Sequence, residues 1–184
     1  GCNQTLSTTI QSIPALSTTI SHSDLTCFGA TGASIDLTVS DGSMPYNYIW
    51  SNSASTEDIT GLGAGTYDVI VTDAMNCVTS NSATVTQPAS ISVNSVKSDI
   101  TCFGGNNGSI QINVAGGTAP YNYQWSNSAS SQNLSSLAAG SFSVVVTDAN
   151  NCTQSASVSI VEPALLSASS SVLAVGCSGV NDGA

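Results

Sequence analysis

The sequence predicts an all-β protein built from tandem sandwich repeats, and three observations carry that prediction. Cys2, Cys77 and Cys152 recur at steps of 75 residues, and Cys27, Cys102 and Cys177 recur at the same step. Short apolar alternations of period two lie between turn clusters of Gly, Pro, Asn and Asp. No stretch combines a helical apolar period with helix caps.

The repeat extends well beyond the cysteines. Residues 27 to 88 align with residues 102 to 163 without a gap, sharing Cys-Phe-Gly, Pro-Tyr-Asn-Tyr-x-Trp-Ser-Asn-Ser-Ala-Ser and Val-Thr-Asp-Ala-x-Asn-Cys. A fixed period of this size defines one structural unit per copy. The expected division is a complete repeat over 15–89, a second over 90–164, the end of a preceding repeat over 1–14 and the start of a following one over 165–184.

Within a repeat the elements follow in order. Ser109 to Val114 alternates strictly, and Phe142, Val144 and Val146 fall on one face of a second run, so each reads as a strand with one buried side. Between them Tyr121, Tyr123 and Trp125 share a face, as do Tyr46, Tyr48 and Trp50 in the first copy. Both stripes read as core aromatics on the central strand of a sandwich. Asp41-Gly42, Gly116-Gly117-Thr118, the glycine-rich segment 61–65, and Asp73 to Asn76 with its counterpart Asp148 to Asn151 supply the turns. Several short strands at this spacing in about 75 residues predict tandem immunoglobulin-like Greek-key β-sandwiches. Leu62 to Val69 has the pattern of a tyrosine corner around Tyr67, whereas the second copy has Phe142, without a hydroxyl. Only two or three residues follow Pro88 and Pro163 before the next alternation, which predicts a semi-rigid rod growing by roughly 30 to 40 Å per repeat.

Cysteines at fixed positions in so small a unit predict one disulfide per repeat and an oxidising, extracellular location. The expected pairs are Cys27 with Cys77 and Cys102 with Cys152, about 50 residues apart, with Cys2 and Cys177 pairing to cysteines outside this segment. Zinc is the weaker alternative: no pair has knuckle spacing, and His22 is the only histidine.

Composition narrows the function. Hydrophobic residues make up 41% of the chain, enough for a core, while only 7% are charged. With Lys97 the sole Lys or Arg and a net charge of −10, the chain lacks the basic surface that nucleic acid or an anionic membrane requires. The scarcity of Lys and Arg also leaves trypsin-like proteases one cleavage site. No apolar run is long enough to insert in a membrane.

The ordered set Cys102-Phe-Gly-Gly-Asn-Asn-Gly-Ser-Ile, Gly116-Gly-Thr-Ala-Pro-Tyr-Asn-Tyr-x-Trp-Ser-Asn, the segment from Leu137 to Cys152, and a closing Glu162-Pro163 resembles the SprB repeat family. The resemblance covers nearly the whole chain. It departs at Ala30 to Ala33, where the pattern has a Gly-Asn-rich run, and at Ser178, where it has phenylalanine. Such repeats occur in very large cell-surface proteins of gliding Bacteroidetes-type bacteria. The resemblance therefore implies secretion, surface display and a place in an adhesin or filament, with gliding motility as one setting.

Candidate sites are few. Glu57-Asp58 is the only adjacent carboxylate pair, and its counterpart is Gln132-Asn133, so it is not chemistry common to both repeats. No hydroxyl has a partnered base, and catalysis has no visible parts. Asp24 and Asp99 precede the first cysteine of each repeat, and Asp73 and Asp148 the second; the leading reading is that Asp73 and Asp148 start turns and Asp24 and Asp99 cap loops, with no cofactor. The alternative is that the expected disulfide gathers each pair at one end of the sandwich as half of a calcium site. The aromatic stripes read as core, with a sugar-stacking platform as the alternative. The leading function is a non-catalytic spacer of a long extracellular adhesin or surface filament, whose partners are neighbouring repeats. The alternatives are a module binding glycan or another surface ligand, and a fibre formed by lateral self-association.

Overall fold

The computed structural model describes residue 4 and residues 14–171. Cys2, Cys177 and most of the two flanking fragments lie outside the described residues.

Twelve strands and no helix make up this part of the chain. The first repeat contributes β1 (Ser17–His22), β2 (Ala33–Ser40), β3 (Asn47–Trp50), β4 (Ile59–Leu62), β5 (Gly65–Thr72) and β6 (Val78–Val85). The second contributes β7 (Ser92–Ser98), β8 (Gly108–Ala115), β9 (Asn122–Trp125), β10 (Leu134–Leu137), β11 (Gly140–Thr147) and β12 (Thr153–Ile160). Each repeat folds as two three-stranded antiparallel sheets, ordered β1-β2-β4 and β3-β5-β6 in the first, β7-β8-β10 and β9-β11-β12 in the second. This is an immunoglobulin-like sandwich.

Alternation decides which side of each strand is buried. In β2, Ala33, Ile35 and Leu37 point inward while Asp36 and Thr38 face solvent; in β5, Val69 and Val71 point inward. These side chains meet Trp50, Ile59, Leu62, Ala83 and Val85 in one core, and Ile110, Ile112, Trp125, Val144, Val146 and Ile160 head the equivalent core of the second repeat. The aromatic stripes do not lie on central strands. β3 and β9 hydrogen-bond only to β5 and β11, so each is an edge strand whose inner face is nonetheless covered by the opposite sheet. An edge is where a strand with Pro45 or Pro120 just before it can sit without losing ladder bonds.

One ladder irregularity is closed by side chains. β2 and β4 shift register between Ala33 and Ile35, and there Asp58 Oδ1 accepts the Leu37 N–H at 3.0 Å. Asn133 Oδ1 accepts the Ile112 N–H in the same way, and Gln132 Nε2 donates to the Ile112 carbonyl. The Glu57-Asp58 pair thus occupies a structural position, where carboxylate and amide oxygens serve equally well. Tyr67 donates its hydroxyl to the Gly63 carbonyl at 3.1 Å, making the corner that Phe142 cannot.

Strand direction gives each sandwich two poles. Residues 14–16, 40–47 and 72–78 gather at the entry pole, and residues 22–33, 62–65 and 85–88 at the exit pole, as the pairs Ser17↔Ser40, Asn47↔Thr72, His22↔Ile35 and Gly65↔Val85 require. The chain enters one pole, leaves by the other and passes directly into the entry pole of the next repeat.

Candidate functional site at the repeat junction

The exit pole of the first repeat presents a rigid loop. Asp24 Oδ1 accepts the Thr86 N–H at 2.7 Å, and Leu25 N–H donates to the Thr86 carbonyl, tying the segment after β1 to the end of β6. Gly29, in left-handed conformation at φ 70°, donates its N–H to Gln87 Oε1 at 2.7 Å. The second repeat repeats each device: Asp99 accepts from Val161, and Gly104 (φ 71°) donates to Glu162 at 2.7 Å. The Gln or Glu before the closing proline therefore anchors the Cys-Phe-Gly loop, a pairing across 58 residues that sequence reasoning did not make. Hydrogen bonds hold both aspartates below the usual carboxylate range, the backbone N–H of Thr86 chiefly for Asp24 and that of Val161, with Lys97, for Asp99.

The entry pole of the second repeat is built around Asp148, only 2% exposed. Its Oδ1 accepts the N–H groups of Asn150 and Cys152, both at 2.9 Å, and its Oδ2 accepts that of Thr118 at 2.9 Å. Asn151 adopts a left-handed φ of 63° so that the turn can close. Burial pushes the Asp148 carboxyl up, but the three N–H donors outweigh it and leave it below its ordinary range. Asp73 has the same arrangement with Met75, Cys77 and Ser43, and the same balance.

These two poles are joined covalently. Cys27 forms a disulfide with Cys152, with Cα atoms 5.6 Å apart and a sequence separation of 125. Beside it Asn150 Nδ2 donates to the Thr26 carbonyl at 3.2 Å. Gly117 N–H donates to the Ala89 carbonyl at 2.8 Å, drawing the connecting segment onto the second repeat. A cavity of about 100 Å³, lined by Phe28, Pro88, Ile91, Asp148 and Cys152, remains where they meet.

The expected pairing within a repeat is therefore corrected. Cys27 sits at the exit pole and Cys77 at the entry pole of the same sandwich, separated by the length of an eight-residue strand, about 26 Å. A disulfide needs Cα atoms within about 7 Å. Cys77 and Cys102 are exposed and carry free thiols, so the bond crosses the junction. The calcium expectation changes with it, because Asp24 and Asp73 lie at opposite poles, as do Asp99 and Asp148. Their oxygens are engaged by N–H donors, and among the described residues no three His, Cys, Asp or Glu side chains gather for a metal.

Both aromatic stripes face inward. Trp50 and Trp125 are 2% and 3% exposed, and their indole N–H groups donate to the carbonyls of Thr56 at 2.9 Å and Ser131 at 2.8 Å. Tyr46 and Tyr121 are half-buried with their hydroxyls on the carbonyls of Asp41 and Gly116, and Tyr48 and Tyr123 pack against the same cores. A stacking sugar would find neither tryptophan.

Residues 19–55 and 94–130 match the SprB repeat, running in each copy from the first strand past the Trp-Ser-Asn segment that the two copies share. Two segments of the chain thus match the SprB repeat. No curated protein matches it in sequence. Among solved structures, three N-terminal domains of the bacteriophage RB49 Highly Immunogenic Outer Capsid protein share 20% identity at a TM-score of 0.45, the alignment covering 79% of this chain and 59% of that one. The eight N-terminal Ig domains of Down Syndrome Cell Adhesion Molecule share 11% at 0.42, covering 83% and 25%, and the amphioxus IgVJ-C2 molecule 13% at 0.32, covering 78% and 95%. The chain thus spans less than two thirds of the length of the first two, 59% and 25%.

Proposed function

We propose that these SprB repeats are non-catalytic spacer units of a long extracellular adhesin or cell-surface filament. The observation that carries the reading is the junction: the chain enters each sandwich at one pole, leaves at the other, and is pinned there by a disulfide between repeats. That bond requires an oxidising surroundings such as the cell exterior. The only adjacent carboxylate pair serves a strand irregularity, and the buried acids are saturated by backbone N–H groups. What remains for the repeats to supply is reach and direction.

Antibodies raised against this chain should label intact cells of the source organism, and electron microscopy of the native protein should show straight rods lengthening by a constant increment of roughly 30 to 40 Å per repeat. Labelling only after permeabilisation, or randomly bent beads, would sink the proposal. Specific retention by a glycan array would replace it with a recognition module, and ordered lateral bundles with a self-associating fibre.

A further inference from the structure

The bonded junction has an unbonded counterpart at each end of the pair of repeats. At the entry pole of the first repeat, a cavity of about 240 Å³ is lined by Leu16, Gly42, Asp73, Met75, Cys77 and Val78. Leu16, Gly42, Asp73 and Cys77 stand 75 residues before Ile91, Gly117, Asp148 and Cys152 of the closed junction, where the cavity is about 100 Å³. Asp73 holds the Cys77 N–H at 2.8 Å as Asp148 holds that of Cys152 at 2.9 Å. Met75 and Val78 are 63% and 64% exposed there, an apolar rim that nothing among the described residues covers.

The exit pole of the second repeat matches the other half. Gly104 is bonded to Glu162 as Gly29 is to Gln87, and Gly105 N–H donates to the Cys102 carbonyl as Ala30 N–H does to that of Cys27. Cys102 is exposed where the bonded Cys27 is half-buried, and Cys77 is exposed where Cys152 is half-buried.

We propose that Cys77 and Cys102 are the two open halves of one inter-repeat interface: Cys77 and its rim receive the Cys-containing exit loop of a preceding repeat, and the Cys102 loop enters the rim of a following one. The occupant is in each case another copy of this repeat, and every disulfide has the sequence separation of 125 seen for Cys27 and Cys152. The interface is inferred from the closed junction and does not depend on the spacer reading. Each bond forms by thiol–disulfide exchange: two cysteine thiols lose two protons and two electrons to become one disulfide, and a small-molecule or protein disulfide is reduced to two thiols.

The test is a tandem chain in which residues 15–164 are followed directly by a second copy of 15–164, which keeps the 75-residue register. It is oxidised with glutathione disulfide, recovered as monomer from a non-reducing gel, cut with pepsin and mapped by mass spectrometry. The expected product contains a peptide joining Cys102 of the first copy to Cys77 of the second, besides two Cys27–Cys152 links and two free thiols. A companion carrying Cys77→Ser in the first copy and Cys102→Ser in the second should then have no free thiol. Links within a repeat, Cys27 to Cys77 or Cys102 to Cys152, would overturn the proposal. So would a companion retaining two reactive thiols alongside intact Cys27–Cys152 links, since that result leaves the central junction open.

Discussion

The buried carboxylate of Asp148 accepts the backbone N–H of Cys152 at 2.9 Å, so the cysteine that closes the junction is positioned by an acid four residues earlier. The same oxygen takes the Asn150 N–H and the second oxygen the Thr118 N–H, so one carboxylate satisfies three backbone donors. Asp148→Ala orphans three donors at once. Asp148→Asn keeps one acceptor oxygen but turns an amide N–H toward a donor. Thermal melts should rank wild type above Asn and Asn above Ala, and an alanine variant as stable as wild type would remove the turn's dependence on the acid.

Acid should weaken the fold for the same reason. Asp24, Asp73, Asp99 and Asp148 are all held below the ordinary carboxylate value near 3.8. A group whose folded pKa is depressed contributes its full stability above its unfolded pKa and loses it as pH falls through the folded one. Urea midpoints should therefore change little from these groups between pH 5 and 7 and fall progressively below about pH 4. A midpoint that rises on acidification would contradict this balance.

Opening the disulfide by Cys27→Ser and Cys152→Ser together should lower stability by up to about 5 kcal/mol, the chain-entropy value for a loop of this length. Both repeats lie within or against that loop, so calorimetry should show the unfolding transition broaden or split when the bond is absent. Identical melts with and without reductant would be incompatible with the bond.

Fluorescence reports the buried stripes. Iodide should quench Trp50 and Trp125 poorly in the folded chain and fully in urea, and Trp50→Ala should cost about 3 to 5 kcal/mol through the cavity it leaves. Efficient quenching of the native protein would mean that a tryptophan is open to solvent.

Gly117 is tightly enclosed. At φ 62°, an added Cβ would lie 2.6 Å from Ile91 Cγ1 and 2.9 Å from Asp148 Oδ2, while Gly29 at φ 70° has nothing within 4 Å. Gly29→Ala should cost only the left-handed strain, about 1 to 2 kcal/mol, and Gly117→Ala visibly more. Equal losses in denaturant titrations would show that the crowding at the junction is relieved without cost.

Much of this architecture was legible in the chain. Alternation at Ile110, Ile112 and Val114 and at Phe142, Val144 and Val146 marked strands, and Asp148 to Asn151 read as an aspartate-started turn, which is how it is built. The disulfide was not legible, because a periodic sequence cannot distinguish a partner 50 residues away from one a full period further on. Only the strand directions, which put Cys27 and Cys77 at opposite poles, separate the two. The role of Asp58 escaped for a related reason: comparing it with Asn133 suggested that the position had no shared chemistry, whereas the two share one acceptor oxygen on the bulged strand.

From Cys27 to Cys152 the polypeptide runs 125 residue steps, which at about 3.4 Å each would extend to roughly 400 Å if pulled straight. A tug applied to residues outside the pair travels through two sulfur atoms instead and never reaches that slack. While the bond is intact that length cannot be drawn out even if the sandwiches open, and once it is reduced only their folding holds it back, so thiol chemistry sets the limit of extension and folding strength the force needed to approach it.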